Sequence, residues 1–143
     1  METKYKKTSV LLKIVNNLIG REVNKKMCNI GLTSSQSEVL GFLNGNSGKV
    51  IYPMDIEKAF LFSRPTVTGI LKRLEEKEFI ELIQSPTDKR YKQIKMTQKS
   101  IKLFEEVDNR LELINKIAYK NVSDEEVEEL EKILNKMLNN LTD

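Results

Sequence analysis

A mainly α-helical fold with one small β-hairpin is what this 143-residue sequence predicts, on three observations. Long stretches at both ends repeat apolar residues at three- and four-residue spacing, the period of an amphipathic helix. One stretch in the middle, Phe79 to Met96, alternates loosely and is broken by Ser85-Pro86-Thr87-Asp88, which supplies turn chemistry. Six glycines and three prolines leave little chain for linkers, so the length fits one compact unit. The expected organisation is an N-terminal helix in residues 1–30, a helix-and-hairpin region in residues 31–98, and C-terminal helices in residues 99–143.

From Lys4 to about Met27, the residues Leu11, Ile14, Val15, Leu18, Ile19, Val23 and Met27 share one helical face. Lys4, Lys6 and Lys7 read as its solvated end, with contact to a polyanion as the alternative. Gly31 ends the element, and Thr33-Ser34-Ser35-Gln36 has the spacing of a capping box. A second helix is expected from there to about Leu43, with Val39, Leu40, Phe42 and Leu43 inward. Asn44-Gly45-Asn46-Ser47-Gly48 is a loop, and Val50-Ile51-Tyr52 can add a short strand to the hairpin. Pro53 suits the first position of a brief helix ending near Phe60, with Ala59 available for a close helix crossing. Leu61-Phe62 then form a turn without glycine and are expected to be buried staples.

Ser63 to Thr97 organises the rest. Ser63 is an N-cap, its hydroxyl accepting from an unpaired backbone N–H, and Pro65 falls in the first turn, where its missing donor costs little. Val67, Ile70, Leu71 and Leu74 make the apolar stripe, while Arg64, Thr66, Thr68, Lys72 and Arg73 occupy the other face. Gly69 in mid-helix costs about 1 kcal/mol relative to alanine. Either the backbone there approaches a partner closely, or an exposed face tolerates it. A short helix presenting small hydroxyls and basic groups beside a cationic hairpin suits a nucleic-acid double helix.

Thr97 can cap the next helix, with Ile101, Phe104, Leu111, Ile114 and Ala118 on its stripe through to Lys120. Ser123-Asp124-Glu125-Glu126 is another capping box, and Val127, Leu130, Leu134, Met137 and Leu141 follow near heptad spacing. The formal net charge of +3 is small, but it is unevenly spread. Residues 1–30 carry seven Lys/Arg against two acids, residues 63–99 nine against five, and residues 121–143 two against seven. The middle is basic and the tail acidic, which permits a nucleic-acid footprint without a basic whole.

The order S-x-P-T-V-T-x-x-L-x-x-L-E, a hydrophobic strand, D-K-R in a hairpin and a closing M-T resembles the winged helix-turn-helix of the multiple antibiotic resistance regulator (MarR) family. Family members typically show an L-S-x-x-T-V-T recognition helix and a D-x-R wing, here Asp88 and Arg90. The resemblance covers the whole chain. It departs at Leu61-Phe62, where glycine often relieves the turn, and at Lys77-Glu78-Phe79, where glycine usually ends the recognition helix. There, either Glu78 bears a left-handed backbone or the helix frays earlier.

The resemblance implies a sequence-specific double-stranded DNA-binding transcriptional regulator, a repressor on an inverted-repeat operator, released by a small-molecule effector. Arg64, Thr66, Thr68, Lys72 and Arg73 are the candidate major-groove set, with Ser63 at their start and Pro65 adding apolar contact. Ser34, Ser35 and Ser37 are candidates for phosphate contact. Arg90 is expected in the minor groove, oriented by Asp88, with Lys89 and Lys92 on phosphates. The plainer reading of Asp88 and Arg90 is an ordinary hairpin ion pair. Three long amphipathic helices exceed what one small winged helix can cover, so a homodimer through the terminal helices is expected; a monomeric bundle is the alternative. Family effectors are small, often phenolic, anions held between these helices and the winged helix. Leu12, Phe42 and Phe104 are candidate linings and equally good core residues.

The chain has no histidine, which removes the common general base and the commonest zinc ligand together. No glycine-rich phosphate loop appears, and the acids from Asp124 to Glu131 read as a solvated face. No enzyme, cofactor or metal site is expected. A single cysteine excludes an internal disulfide, no apolar run reaches membrane-spanning length, and no signal-peptide core follows the basic start, so the expected location is cytoplasmic. One branch of the family senses hydroperoxides through a cysteine well inside the first helix. Cys28 lies at that helix's end and is the low-ranked redox candidate. The competing function is a winged helix used for protein–protein docking, which should lack salt-sensitive affinity for duplex DNA.

Overall fold

A computed structural model of the chain describes residues 4–142; residues 1–3 and 143, the outer edges of the terminal segments, lie outside the described residues. The elements run α1 Lys6–Met27, α2 Ser34–Gly45, α3 Pro53–Phe60, α4 Arg64–Glu76, β1 Ile80–Gln84, β2 Lys92–Met96, α5 Gln98–Ala118 and α6 Asp124–Thr142. This is the mainly helical chain with one hairpin that the sequence predicts.

The helix starts follow their caps. Thr33 Oγ1 accepts from Gln36 N while Gln36 Oε1 accepts from Thr33 N, both at 3.2 Å. The same reciprocal pairing joins Ser123 and Glu126 at 3.1 and 3.0 Å. Ser63 Oγ accepts from Thr66 N at 3.3 Å and Thr97 Oγ1 from Ser100 N at 3.3 Å.

Two helix ends share one geometry on different residues. After α1, Gly31 turns left-handed at φ 84, and Leu32 N–H donates back to the Met27 carbonyl at 3.2 Å. After α4, Glu78 takes φ 62, Phe79 N–H donates to the Leu74 carbonyl and Glu78 N–H to that of Glu75, both at 2.9 Å. The helix does not fray; Glu78 bears a conformation costing a non-glycine residue roughly 1–2 kcal/mol. Its neighbours hold it there. Thr97 Oγ1 donates to the Glu78 carbonyl at 2.7 Å, and Ser100 Oγ donates to the Phe79 carbonyl at 2.6 Å.

α2 is the hub, touching α1, α4, α5 and β2. Its Val39, Leu40 and Leu43 meet Ile56 of α3, Val67, Leu71 and Leu74 of α4, and Phe79, Ile80 and Ile94 at the hairpin, all buried in one core. β1 and β2 pair antiparallel from Ile80↔Met96 to Gln84↔Lys92. Val50-Ile51-Tyr52 adds a single bridge, Ile94 N–H donating to the Ile51 carbonyl at 2.8 Å, rather than a third strand.

Several expectations are corrected. Leu61 ends α3 in the left-handed region, φ 53 and ψ 38, with 62% of its surface exposed, so it is no buried staple. Phe62 alone packs inward, stacked on Phe60 at 5.3 Å. Ala59 is exposed. On α5, Ile101 and Ala118 lie outside, and Val107, absent from the expected stripe, is fully buried with Ile114. Periodicity located each stripe; its centre shifted toward the neighbours actually present.

The terminal helices are covered over only part of their length. α1 buries Val23 and Met27 but leaves Leu11, Ile14, Val15 and Leu18 exposed. α6 buries no residue, and Leu130, Ile133, Leu134, Met137, Leu138 and Leu141 are all exposed. The described chain is therefore not the closed monomeric bundle considered as an alternative.

Candidate nucleic-acid interface

The site is built on α4. Val67, Leu71 and Leu74 are buried and Ile70 half-buried, which fixes the helix's rotation. Arg64, Pro65, Thr66, Thr68, Gly69, Lys72 and Arg73 are consequently all exposed. Ser63 is occupied by capping, and its Oγ also pairs with Thr66 Oγ1 at 2.9 Å. Thr66 thus has its hydroxyl engaged, whereas no such bond is seen at Thr68. Among the described residues, Arg64, Lys72, Arg73, Lys89 and Lys92 take part in no ion pair, so their charges are not neutralised by this chain.

The hairpin tip is pre-organised. Ser85 is buried, and its Oγ accepts from Thr87 N and Asp88 N, both at 3.2 Å. Asp88 Oδ1 accepts from Arg90 N at 3.0 Å and from Arg90 Nε at 3.1 Å, while Oδ2 accepts from the guanidinium at 2.8 Å. The guanidinium chiefly, then the Arg90 N–H, holds the Asp88 carboxyl below its usual range. Arg90 itself is 79% exposed at its side chain and sits 5.5 Å over the Tyr91 ring. The ion pair is thus present; its fork geometry fixes the direction of the exposed arginine.

Sequence reasoning missed what supports this tip. Tyr52, preceding α3, bonds Ser85 Oγ through its hydroxyl at 2.6 Å and meets the Tyr91 ring edge-on at 6.1 Å. These residues lie 33 positions apart in the first pair, so no local pattern announces them. No local pattern announces the contacts of Lys77 and Lys99 either. Lys77 Nζ donates to Gln36 Oε1 at 2.8 Å and to the Gly31 carbonyl, and Lys99 Nζ to the Lys77 carbonyl at 2.9 Å. Arg110 similarly ties α5 to the Lys26 carbonyl and to Asn29 at the end of α1.

The second helix start behaves differently from α4. Ser37 is 0% exposed and donates its hydroxyl to the Thr33 carbonyl at 2.9 Å, so it leaves the candidate phosphate set. The serine spacing did not reveal that this position faces the core. Ser34 and Ser35 are half-buried. Both line a cavity of about 540 Å³ between α1, α2 and α5, closed partly by Phe60 and Phe62. Glu38 is the one charged residue on that lining; the residue is exposed overall, and the partial burial of its carboxyl pushes it up. Leu12, Phe42 and Phe104 do not line it; Phe42 and Phe104 pack on the core. Cys28 is exposed beyond the end of α1.

This architecture has known relatives. A family model described as the MarR family matches residues 30–90. An uncharacterized HTH-type transcriptional regulator of Bacillus subtilis strain 168, YwoH, is 33% identical over 97 residues, 66% of this chain and 66% of that protein. The S. aureus MepR–DNA complex superposes with a TM-score of 0.86 at 28% identity, covering 97% of this chain and 99% of that one. The MarR transcription regulator of Oenococcus oeni PSU-1 gives 0.81 at 29% identity, covering 92% and 98%.

Proposed function

This chain belongs to the MarR family of DNA-binding, winged helix-turn-helix transcription regulators, and from that premise we propose that it is a cytoplasmic repressor working as a homodimer on an inverted-repeat operator. The observation carrying the DNA reading is the outward row on α4: three unneutralised cations and small hydroxyls on a rigid helix, beside a wing whose arginine is pre-aimed. Cations without partners release counterions when they meet phosphates, and a helix of this width enters the major groove. Arg64, Thr66, Thr68, Lys72 and Arg73 read bases or adjoining phosphates; Pro65 adds apolar contact. Arg90 enters the minor groove while Lys89, Lys92, Ser34 and Ser35 touch the backbone.

The dimer reading rests on the exposed apolar residues of α1, α5 and α6, which are better covered by a second copy than by water. Two-fold symmetry would set two α4 helices about one DNA turn apart, about 34 Å. The S. aureus neighbour was solved with DNA, which supports the same use of this fold. No helix among the described residues is long and apolar enough to cross a membrane. A small-molecule effector would occupy the cavity between the terminal helices and the winged region, where a bound molecule can change how one sits on the other.

Selection of a duplex from a random-oligonucleotide pool tests the reading directly, and an inverted repeat with half-sites near one-turn spacing is expected. Duplex affinity should fall steeply with added salt. A protein that ignores both sequence and salt would be a docking module instead.

A further inference from the structure

We infer that Gly69 is the point of closest approach between α4 and the base pairs, a specificity-setting position where any side chain would hold the helix off the groove floor. The inference rests on the DNA reading above. Its origin is the placement of a residue that this chain has no internal reason to use.

A glycine inside a helix lowers stability relative to alanine. Where one occurs, a positive φ or a crowded Cβ position often requires it. Neither holds here. The left-handed glycines are Gly31 and Gly48, and a Cβ built on Gly69 meets no atom within 4 Å. Gly41, also helical, differs: a Cβ there would reach the Phe104 ring at 4.0 Å.

Position gives the remaining argument. With Val67, Ile70, Leu71 and Leu74 inward, a turn of about 100° per residue puts Pro65, Gly69, Lys72 and Glu76 on the row most directly opposite the core. Arg64 and Thr68 border that row on one side, Thr66 and Arg73 on the other. Between two borders of candidate base readers, the N-terminal half of the row, Pro65 and Gly69, is therefore stripped to backbone and a proline ring, with Lys72 the next side chain along it. A methyl at Gly69 would fill the bare stretch between the borders and keep both from reaching base edges, whose hydrogen bonds tolerate little displacement. Glu76 at the far end repels phosphates, which confines the approach to the first turns.

Non-specific binding is different in kind. It depends on charge over longer distance, so a small stand-off affects it little. The test uses the selected duplex, a random duplex of equal length, and the full chain carrying Gly69→Ala or Gly69→Ser. Thermal unfolding should rise for Gly69→Ala, selected-site affinity should fall by roughly tenfold or more, and random-duplex affinity should stay within about twofold. Gly69→Ser should lose selected-site affinity as well. Wild-type affinity for the selected site in Gly69→Ala, or a lowered unfolding temperature, overturns the inference while the DNA reading stands. If the unmodified protein selects no sequence and shows no salt-sensitive duplex binding, the DNA reading fails, and this inference with it.

Discussion

α4 and α6 are both amphipathic helices with sound N-caps, yet one is finished by its own chain and the other is not. α4 buries Val67, Leu71 and Leu74 against α2, α3 and the hairpin. α6, at 19 residues the longer helix, buries nothing. Periodicity announces that a face wants covering; it does not say whether the cover lies in the same chain. The described chain is therefore two kinds of structure, a closed winged-helix module and apolar arms whose faces it leaves uncovered.

Substitutions on the two faces test that contrast most directly. Leu74→Ala removes a side chain with no exposed surface and should cost about 2–5 kcal/mol in urea unfolding. Leu134→Asp on α6 should leave the circular dichroism of the module intact while shifting dimers to monomers in sedimentation. If it unfolds the chain as Leu74→Ala does, the two-part description is wrong. Arg90→Ala should weaken duplex binding by about tenfold or more with the fold unchanged, and an unaltered gel-shift titration would remove the wing from the interface.

Smaller effects sharpen the boundary. Leu61→Gly relieves a left-handed backbone on a side chain that is already exposed, and thermal unfolding should show a gain of about 1 kcal/mol. Glu38 lies where module and arms meet. Its carboxyl is raised above its ordinary value in the folded chain, so the fold binds this proton more tightly than the unfolded chain does. Stability is lost as pH climbs from the ordinary carboxylate range through the raised value. Glu38→Gln should accordingly melt slightly higher than wild type at neutral pH, with the difference vanishing in acid; an advantage independent of pH would mean packing, not charge.

Much of this was legible because it is local. The four caps, the α4 stripe and the Asp88–Arg90 fork are all set by residues within about one helical turn of each other. What was missed depends on distant chain. Ser37 shares residue type and neighbourhood with Ser34 and Ser35, and only the helix's rotation turns it into the core. Leu61 looked apolar and therefore buried, although its backbone conformation left it outside. Tyr52 reaches Ser85, and Lys77 reaches Gly31, through contacts that no spacing encodes. The exposed candidate residues of α4 are readable as a set because exposure there follows from its buried stripe alone.

The hydrogen bonds around Glu78 and Phe79 make the hairpin a cantilever. Its root is clamped from both sides, by the end of α4 through Leu74 and by the start of α5 through Thr97 and Ser100. Its tip, with Arg90, projects free apart from the Tyr52 strut. A beam fixed at its base transmits the tilt of that base to its far end. The angle between helix and wing is consequently held at two places, the strained Glu78 corner and the Ile51–Ile94 bridge, and softening the corner would loosen that angle before it unfolded anything.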